Sequence, residues 1–301
     1  MGLMSLVVHG EMLLDNGRNR ALAAAIEEVV RPGDVVADVG AGTGILAMLA
    51  ARAGAAQVYA IERAPIAAVA RALLARNGLD DVVQLVHTDL TEFAPPARVD
   101  VVLCETLGMA CLDEGFRATM ADARHRLLRP GGRLLPADVT VHVAPVRHGA
   151  GRARLDQLDS LVGLDFAPFG DLVRAVHRRV HLDASDLLAP AKTAWLLDCH
   201  TMEADETLTS TLSFRATRDA ELGGFAMWFD AALSPSVRLS NWGNDPENHW
   251  GQAFLPVTVR PVAAGERIEL AVSIQDSPGQ FRVHWRDGGT NPPAVRQPID
   301  A

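Results

Sequence analysis

The sequence predicts an α/β chain in two parts: a parallel sheet covered by helices, followed by an antiparallel β-barrel or sandwich with an inserted helical arm. Three observations predict it. Short apolar runs alternate with helical patterns as far as Leu135, and the first of those runs leads directly into three alternate glycines and another helix. After Pro136 the pattern changes to strand-like alternation. At 301 residues the chain can bury two cores. The division falls at 1–136 and 137–301, with the arm at about 152–180.

From Asn16 to Val30 the residues Leu22, Ala25, Ile26, Val29 and Val30 recur at helical spacing, and Arg31-Pro32-Gly33 stops that helix. Val35-Val36-Ala37 is a short buried strand between Asp34 and Asp38. Gly40, Gly42 and Gly44 let the backbone turn tightly and approach a ligand, and Ile45 to Ala53 follows as a helix. A second strand, Gln57 to Ile61, ends at Glu62; a helix over Ala64 to Asn77 stops at Gly78. Val82 to His87 and Val99 to Cys104 are the third and fourth strands. Asp113 to Leu128 reads as a helix stopped by Pro130-Gly131-Gly132, and Arg133 to Leu135 begins the next strand.

Beyond Pro136, seven segments alternate like antiparallel strands: Val139–Val146, Trp195–His200, Thr207–Arg215, Phe225–Ala231, Ala253–Arg260, Arg267–Ile274 and Phe281–Trp285. The stretch Arg152 to Val180 interrupts them with Leu155, Leu158, Leu161 and Val162 at helical spacing, followed by Leu164 and Phe166. That apolar surface needs a partner, so a homodimer through the arm is expected.

Lys plus Arg number 28 against 37 for Asp plus Glu, giving a net charge of −9. This argues against a nucleic-acid partner and is compatible with a cationic substrate. Cys104, Cys111 and Cys199 lack a Cys-x-x-Cys spacing, so neither a disulfide framework nor a zinc site is expected, and a reducing cytoplasm fits. His177 and His181 have zinc-like spacing without a third ligand in sequence reach, so no metal is expected. Met1 to Val8 is too short and lacks the basic start of a signal peptide, and no apolar run is long enough to span a membrane.

The glycine turn and its flanking acids point to the ligand. Asp38 sits two residues before Gly40, and the spacing is Gly-x-Gly-x-Gly. A pyrophosphate at that turn would repel the carboxylate, whereas a cationic sulfonium ligand with an amino group tolerates it, so S-adenosylmethionine is expected before a dinucleotide. Glu62 is placed for ribose hydroxyls.

The fourth strand delivers Glu105 and Glu114 to the same edge of the sheet, where open α/β folds bind ligands. Two carboxylates suit a guanidinium, which has five donors in a planar fork and stays protonated. They localise its charge away from one nitrogen, which becomes the nucleophile, and His249 is a candidate base for the released proton.

At this point the sequence resembles the protein arginine methyltransferases, over His9 to about Val262. The resemblance is carried by His9-x-Glu11-Met12-Leu13-x-Asp15-x-x-Arg18, Asp38-Val-Gly-Ala-Gly-Thr-Gly-Ile-Leu46 and Ala60-Ile61-Glu62. It is carried also by Glu105 and Glu114 at the family's separation and by Asn248-His249-Trp250. It implies a Rossmann-like class I methyltransferase domain, then a β-barrel with a helical dimerisation arm. It also implies roles: Arg18 for the cofactor carboxylate, His9 lining the cofactor site, and Asp38 with Gly40 at the methionine end. Glu62 would bind the ribose and Asp89 the adenine amino group, with Thr88 or Leu90 as alternatives to Asp89. The activity implied is S-adenosyl-L-methionine-dependent N-methylation of a guanidino group, with a small-molecule N- or O-methyltransferase on the same fold as the alternative.

Departures from the family bear on the acceptor. Only eight residues precede His9, where the family carries an aromatic helix, and Thr106 and Met109 stand where it usually has Trp and Tyr. Asn248 replaces the Thr of Thr-His-Trp. A free guanidino or amino metabolite is therefore expected before a folded protein. Trp242 and Trp250 fit either a barrel core or a site wall. Asn291-Pro292-Pro293 has the look of a methyltransferase motif but falls in the tail without its aromatic residue.

Overall fold

The computed structural model describes residues 3–109, 114–150, 158–204, 206–243, 245, 248–277 and 280–288. The chain opens with α1 (Leu3–Leu14) and α2 (Asn16–Val29), then β1 (Val35–Val39), α3 (Ile45–Arg52), β2 (Gln57–Ile61), α4 (Ala67–Arg76) and β3 (Val83–Val86). β4 (Val99–Cys104), α5 (Phe116–Arg126) and β5 (Leu128–Leu135) complete a five-stranded sheet of order β3-β2-β1-β4-β5. Every pairing in it is parallel. β1 lies at its centre, so the glycine turn leaves the sheet where the strand order reverses, the position at which such sheets bind ligands. Arg133 on β5 ties down the start of β1 by donating to both oxygens of Asp34, each at 2.8 Å.

Two local expectations change. The helix before β5 ends at Arg126, and Pro130-Gly131-Gly132 lies within β5. The pairing with β4 jumps from Val99↔Leu128 to Val101↔Arg133, and this irregularity absorbs the residues that were expected to stop a helix. The helix α1, which carries His9, was not predicted.

The second half begins with β6 (Asp138–Arg147), then the short β7 (Ser160–Leu161) and β8 (Leu164–Asp165), α6 (Ala167–Ala175) and β9 (Arg178–Val180). It continues with β10 (Lys192–Asp198), β11 (Leu208–Arg215), β12 (Ala220–Ala232), β13 (Arg238–Ser240), β14 (Gln252–Val262), β15 (Arg267–Ser277) and β16 (Gln280–Asp287). One antiparallel sheet has the order β10-β6-β12-β14-β9, with β13 on β12, and a second has β11-β15-β16. Phe214 and Phe225 meet between them, ring centroids 6.1 Å apart. A single apolar cluster runs from the parallel sheet into both antiparallel sheets, so the second half is packed on the first through shared side chains.

The arm also differs from its expected form. Leu161 and Leu164 are paired strand residues flanking a two-residue turn, Val162-Gly163, in which both residues have positive φ. The helix of the arm is α6, while Leu155 lies outside the described residues. The hairpin and helix expose Leu161, Val162, Leu164, Phe166, Phe169 and Leu172.

Candidate active site

The site is built on the first turn of α2. Asp15 caps that helix: its Oδ1 accepts the backbone N–H of Arg18 at 2.9 Å. Its Oδ2 accepts both the backbone N–H and ring Nδ1 of His249, at 3.2 and 2.9 Å. Burial alone would raise the Asp15 carboxyl, but the His249 ring and the two backbone donors outweigh it and hold the group below the usual range. An ionised carboxylate only accepts, so His249 donates from Nδ1 and its second ring nitrogen is Nε2.

In the same turn, the buried Arg18 guanidinium donates from Nε and Nη2 to Oε2 of the buried Glu105. Its Nη1 donates to the Asn19 Oδ1 at 2.9 Å. The Trp250 ring lies 5.8 Å from the Arg18 guanidinium carbon and 4.0 Å, centroid to centroid, from the His249 ring. Trp250 is therefore part of the wall of this cluster as well as of the core. Trp242 instead stacks on Trp228, at 4.3 Å, in a separate small cluster.

The glycine turn adjoins. Gly40 and Gly42 have φ of 73° and 55°, conformations that side-chain-bearing residues rarely adopt. A Cβ on Gly40 would come within 2.8 Å of the Thr106 methyl, and one on Gly42 within 3.2 Å of the His9 ring. The Gly42 N–H donates to Glu62 Oε2 at 2.8 Å, and Ala64 N–H donates to Oε1 at 2.6 Å. Gly44 caps α3, and the Ala47 N–H of α3 donates to Asp38 Oδ2 at 2.9 Å. His9 is held below its ordinary value by burial, with Glu62 opposing and Arg18 reinforcing.

Asp38 is fully buried, and its Oδ1 has no hydrogen-bond partner. Burial pushes its carboxyl up to about 7; the nearby Glu62 and Glu105 add to the rise, while the Ala47 N–H and Arg18 oppose it. An orphaned carboxylate oxygen beside two other acids, over a turn of glycines at positive φ, fits a ligand bearing an amino group and a sulfonium. S-Adenosylmethionine meets that description.

Thus the structure brings His9, Arg18, Asp38, Gly40, Gly42, Gly44, Glu62, Glu105 and His249 into one neighbourhood. Asp89 is half-exposed and caps the short 3₁₀ turn Leu90–Glu92, accepting from Thr91 N–H at 3.0 Å and Thr91 Oγ1 at 2.7 Å. Its ion pair with Arg63 spans 3.6 Å. Glu114 stands exposed just ahead of α5, beyond the undescribed 110–113. The role of Asp15 was missed; its signal was an Asp directly ahead of an uninterrupted helical stretch. Among the described residues no group of three or more His, Cys, Asp and Glu could hold a metal ion.

Comparisons with known proteins agree with this geometry. A family model described as a methyltransferase domain matches residues 36–132, and one described as the arginine methyltransferase oligomerization subdomain matches 137–284. An arginine N(omega)-methyltransferase of Streptomyces achromogenes subsp. streptozoticus is 32% identical over 275 residues, covering 89% of this chain and 76% of the relative. The chain belongs to the arginine methyltransferase family. Another family member, protein arginine N-methyltransferase 6 of Xenopus laevis, is 31% identical over 262 residues, covering 82% of this chain and 77% of its own. Among solved structures, a chain of the Trypanosoma brucei PRMT1 enzyme-prozyme heterotetrameric complex with AdoHcy superposes with a TM-score of 0.80. It is 25% identical and covers 93% of this chain and 96% of that one.

Asp38 gives this methyltransferase a measurable proton linkage. Between its ordinary 3.8 and about 7 the folded, ligand-free protein holds a proton that the unfolded chain has lost, so this group lowers stability as pH rises through that window. A cationic ligand favours the carboxylate and expels the proton. Calorimetric titration with S-adenosylmethionine near pH 7, in buffers of different ionisation enthalpy, should show release of roughly half a proton that Asp38→Asn abolishes. Identical enthalpies in all buffers would place Asp38 away from the ligand.

Proposed function

We propose that this chain is an S-adenosyl-L-methionine-dependent N-methyltransferase acting on the guanidino group of an arginine-like acceptor. The observation that carries this reading is the first turn of α2, which presents Asp15 to His249 and Arg18 to Glu105. A base with a fixed tautomer and a carboxylate already matched to a guanidinium thereby share one wall.

Arg18 would hold the cofactor carboxylate, with His9, Asp38, Gly40, Gly42, Gly44 and Glu62 around the rest of it and Asp89 at the adenine. When bound, S-adenosyl-L-methionine supplies a methyl activated by a sulfonium. Arg18 occupies only Oε2 of Glu105, so Oε1 is offered to the acceptor, with Glu114 as the second carboxylate. Together they draw the guanidinium charge towards two nitrogens and leave density on the third. That nitrogen would take the methyl that the bound cofactor would supply, the new carbon–nitrogen bond forming as the carbon–sulfur bond breaks and leaves a neutral thioether. The methylated guanidinium then sheds one proton, for which His249 Nε2 is the acceptor, stabilised as imidazolium by Asp15.

The acceptor itself is read as a free guanidino metabolite. Thr106 packs on Gly40 and Met109 brings no hydroxyl, so an acceptor must supply its own orienting charges, as the amino and carboxylate groups of an amino acid do. The Streptomyces relative is named for arginine, without mention of a protein. The exposed apolar residues of the arm support a homodimer, and the buried free thiols of Cys104 and Cys199 suit the cytoplasm.

Three measurements follow from these assignments. Glu114→Gln should cut turnover by about a hundredfold with cofactor affinity within a few-fold. Glu105→Gln should lower both, because it also strands the Arg18 guanidinium; normal turnover in both variants would remove the carboxylate clamp. Comparing kcat/KM for free arginine and for arginine-rich peptides should favour the free amino acid. A preference for peptides above about tenfold, roughly 1.4 kcal/mol, would return the acceptor to proteins. Light scattering at micromolar concentration should give twice the chain mass, and a monomer would dismiss the arm as a dimer contact.

A further inference from the structure

We propose that Asn241 is a positioning residue that locks the acceptor loop to the His249 loop, an inference that rests on the assignment of those loops to methyl transfer. Asn241 follows β13 and is fully buried. Its Nδ2 donates to the carbonyl of Met109, four residues past Glu105, at 2.8 Å and to the carbonyl of Gly251, two residues past His249, at 2.6 Å. One trigonal nitrogen therefore holds two loops that are remote in sequence at a fixed spacing. The other side of the amide is anchored on the sheet, where Oδ1 accepts the Phe229 N–H of β12 at 2.7 Å.

Two further buried amides complete the lock. The backbone carbonyl of Asn241 accepts from Asn248 Nδ2 at 2.9 Å and from Gln252 Nε2 at 2.6 Å. Asn248 Oδ1 in turn accepts the N–H groups of Trp250 and Gly251, at 3.1 and 3.3 Å, and Gln252 Oε1 accepts that of Leu182 at 2.8 Å. Asn248 and Gln252 flank His249 and Trp250, so the histidine loop is clamped at both ends to Asn241. A network with its donors and acceptors matched tolerates little displacement, because each shifted partner becomes a buried unsatisfied group. Asn241 reaches neither Arg18 nor His249 by a hydrogen bond of its own; its action on catalysis runs through the two carbonyls it holds.

Asn241→Asp keeps the shape and the acceptor for Phe229 but turns an oxygen towards the Met109 and Gly251 carbonyls. Asn241→Ser, a second variant in case the first folds poorly, removes the shared nitrogen. Both should lower kcat by about tenfold or more while the Kd for S-adenosylhomocysteine stays within about twofold. In a His249→Ala background the same substitutions should add less than about twofold, because the loop they misplace no longer carries its base. Hydrogen exchange, which needs no turnover, should show faster exchange in 105–109 and 249–252 together. A role in folding alone would lower thermal stability with kcat per folded molecule unchanged, or with effects that multiply fully with His249→Ala; either outcome overturns the proposal, as does loosening of only one loop. Failure of the wild-type enzyme to methylate any guanidino acceptor would overturn the functional assignment instead, and the exchange pattern would still decide whether Asn241 couples the loops.

Discussion

The structure of the site depends on one carboxylate doing two jobs. Asp15 Oδ1 closes the open end of α2, and Asp15 Oδ2 takes both donors of His249. The helix cap fixes where Arg18 emerges, and Arg18 fixes Glu105; the histidine contact fixes the loop that brings Trp250 against the same guanidinium. Losing the carboxylate would free a helix end, a ring and a loop at once. A capping contact alone contributes only about 1 kcal/mol, so the value of this arrangement lies in registration of the two halves of the chain.

Charge balance explains why the neighbourhood suits a cation. Asp38, Glu62 and Glu105 gather around a single guanidinium, that of Arg18, and the excess of negative charge combines with burial to raise Asp38. A buried carboxylate with one unpartnered oxygen is costly unless something positive arrives. Glycines at Gly40 and Gly42 leave the backbone accessible to it; a Cβ on Gly40 would collide with Thr106, and one on Gly42 would require the His9 ring to shift. The loop that follows Glu105 thus touches the glycine turn through Thr106.

Much of this was legible in the sequence, for physical reasons that vary by element. The parallel sheet was legible because buried parallel strands are short unbroken apolar runs and their helices have a clear period. Within the arm, Leu161 and Val162 belong to a hairpin and not a helix; they match a helical period by spacing alone, and a β-branched residue at positive φ in a two-residue turn gives no turn signal. Pro130-Gly131-Gly132 reads as a stop, yet a strand irregularity accommodates it. At the site, each of Arg18, Glu105 and His249 was visible as a residue, but the pairs they form were not. Arg18 and Glu105 stand 87 residues apart and Asp15 and His249 stand 234 apart, and only the fold brings such partners together.

The central claim is that Asp15 sets the tautomer of His249 and with it the base. Nitrogen-15 NMR of the His249 ring measures this directly. The geometry predicts that Nδ1 carries the proton held by Asp15, so that Nε2 is the bare nitrogen whenever the ring is neutral, and that Asp15→Asn abolishes this preference together with most of the single-turnover methyl-transfer rate. A neutral ring protonated at Nε2 in the wild-type protein, or a tautomer and rate unchanged by Asp15→Asn, would contradict it.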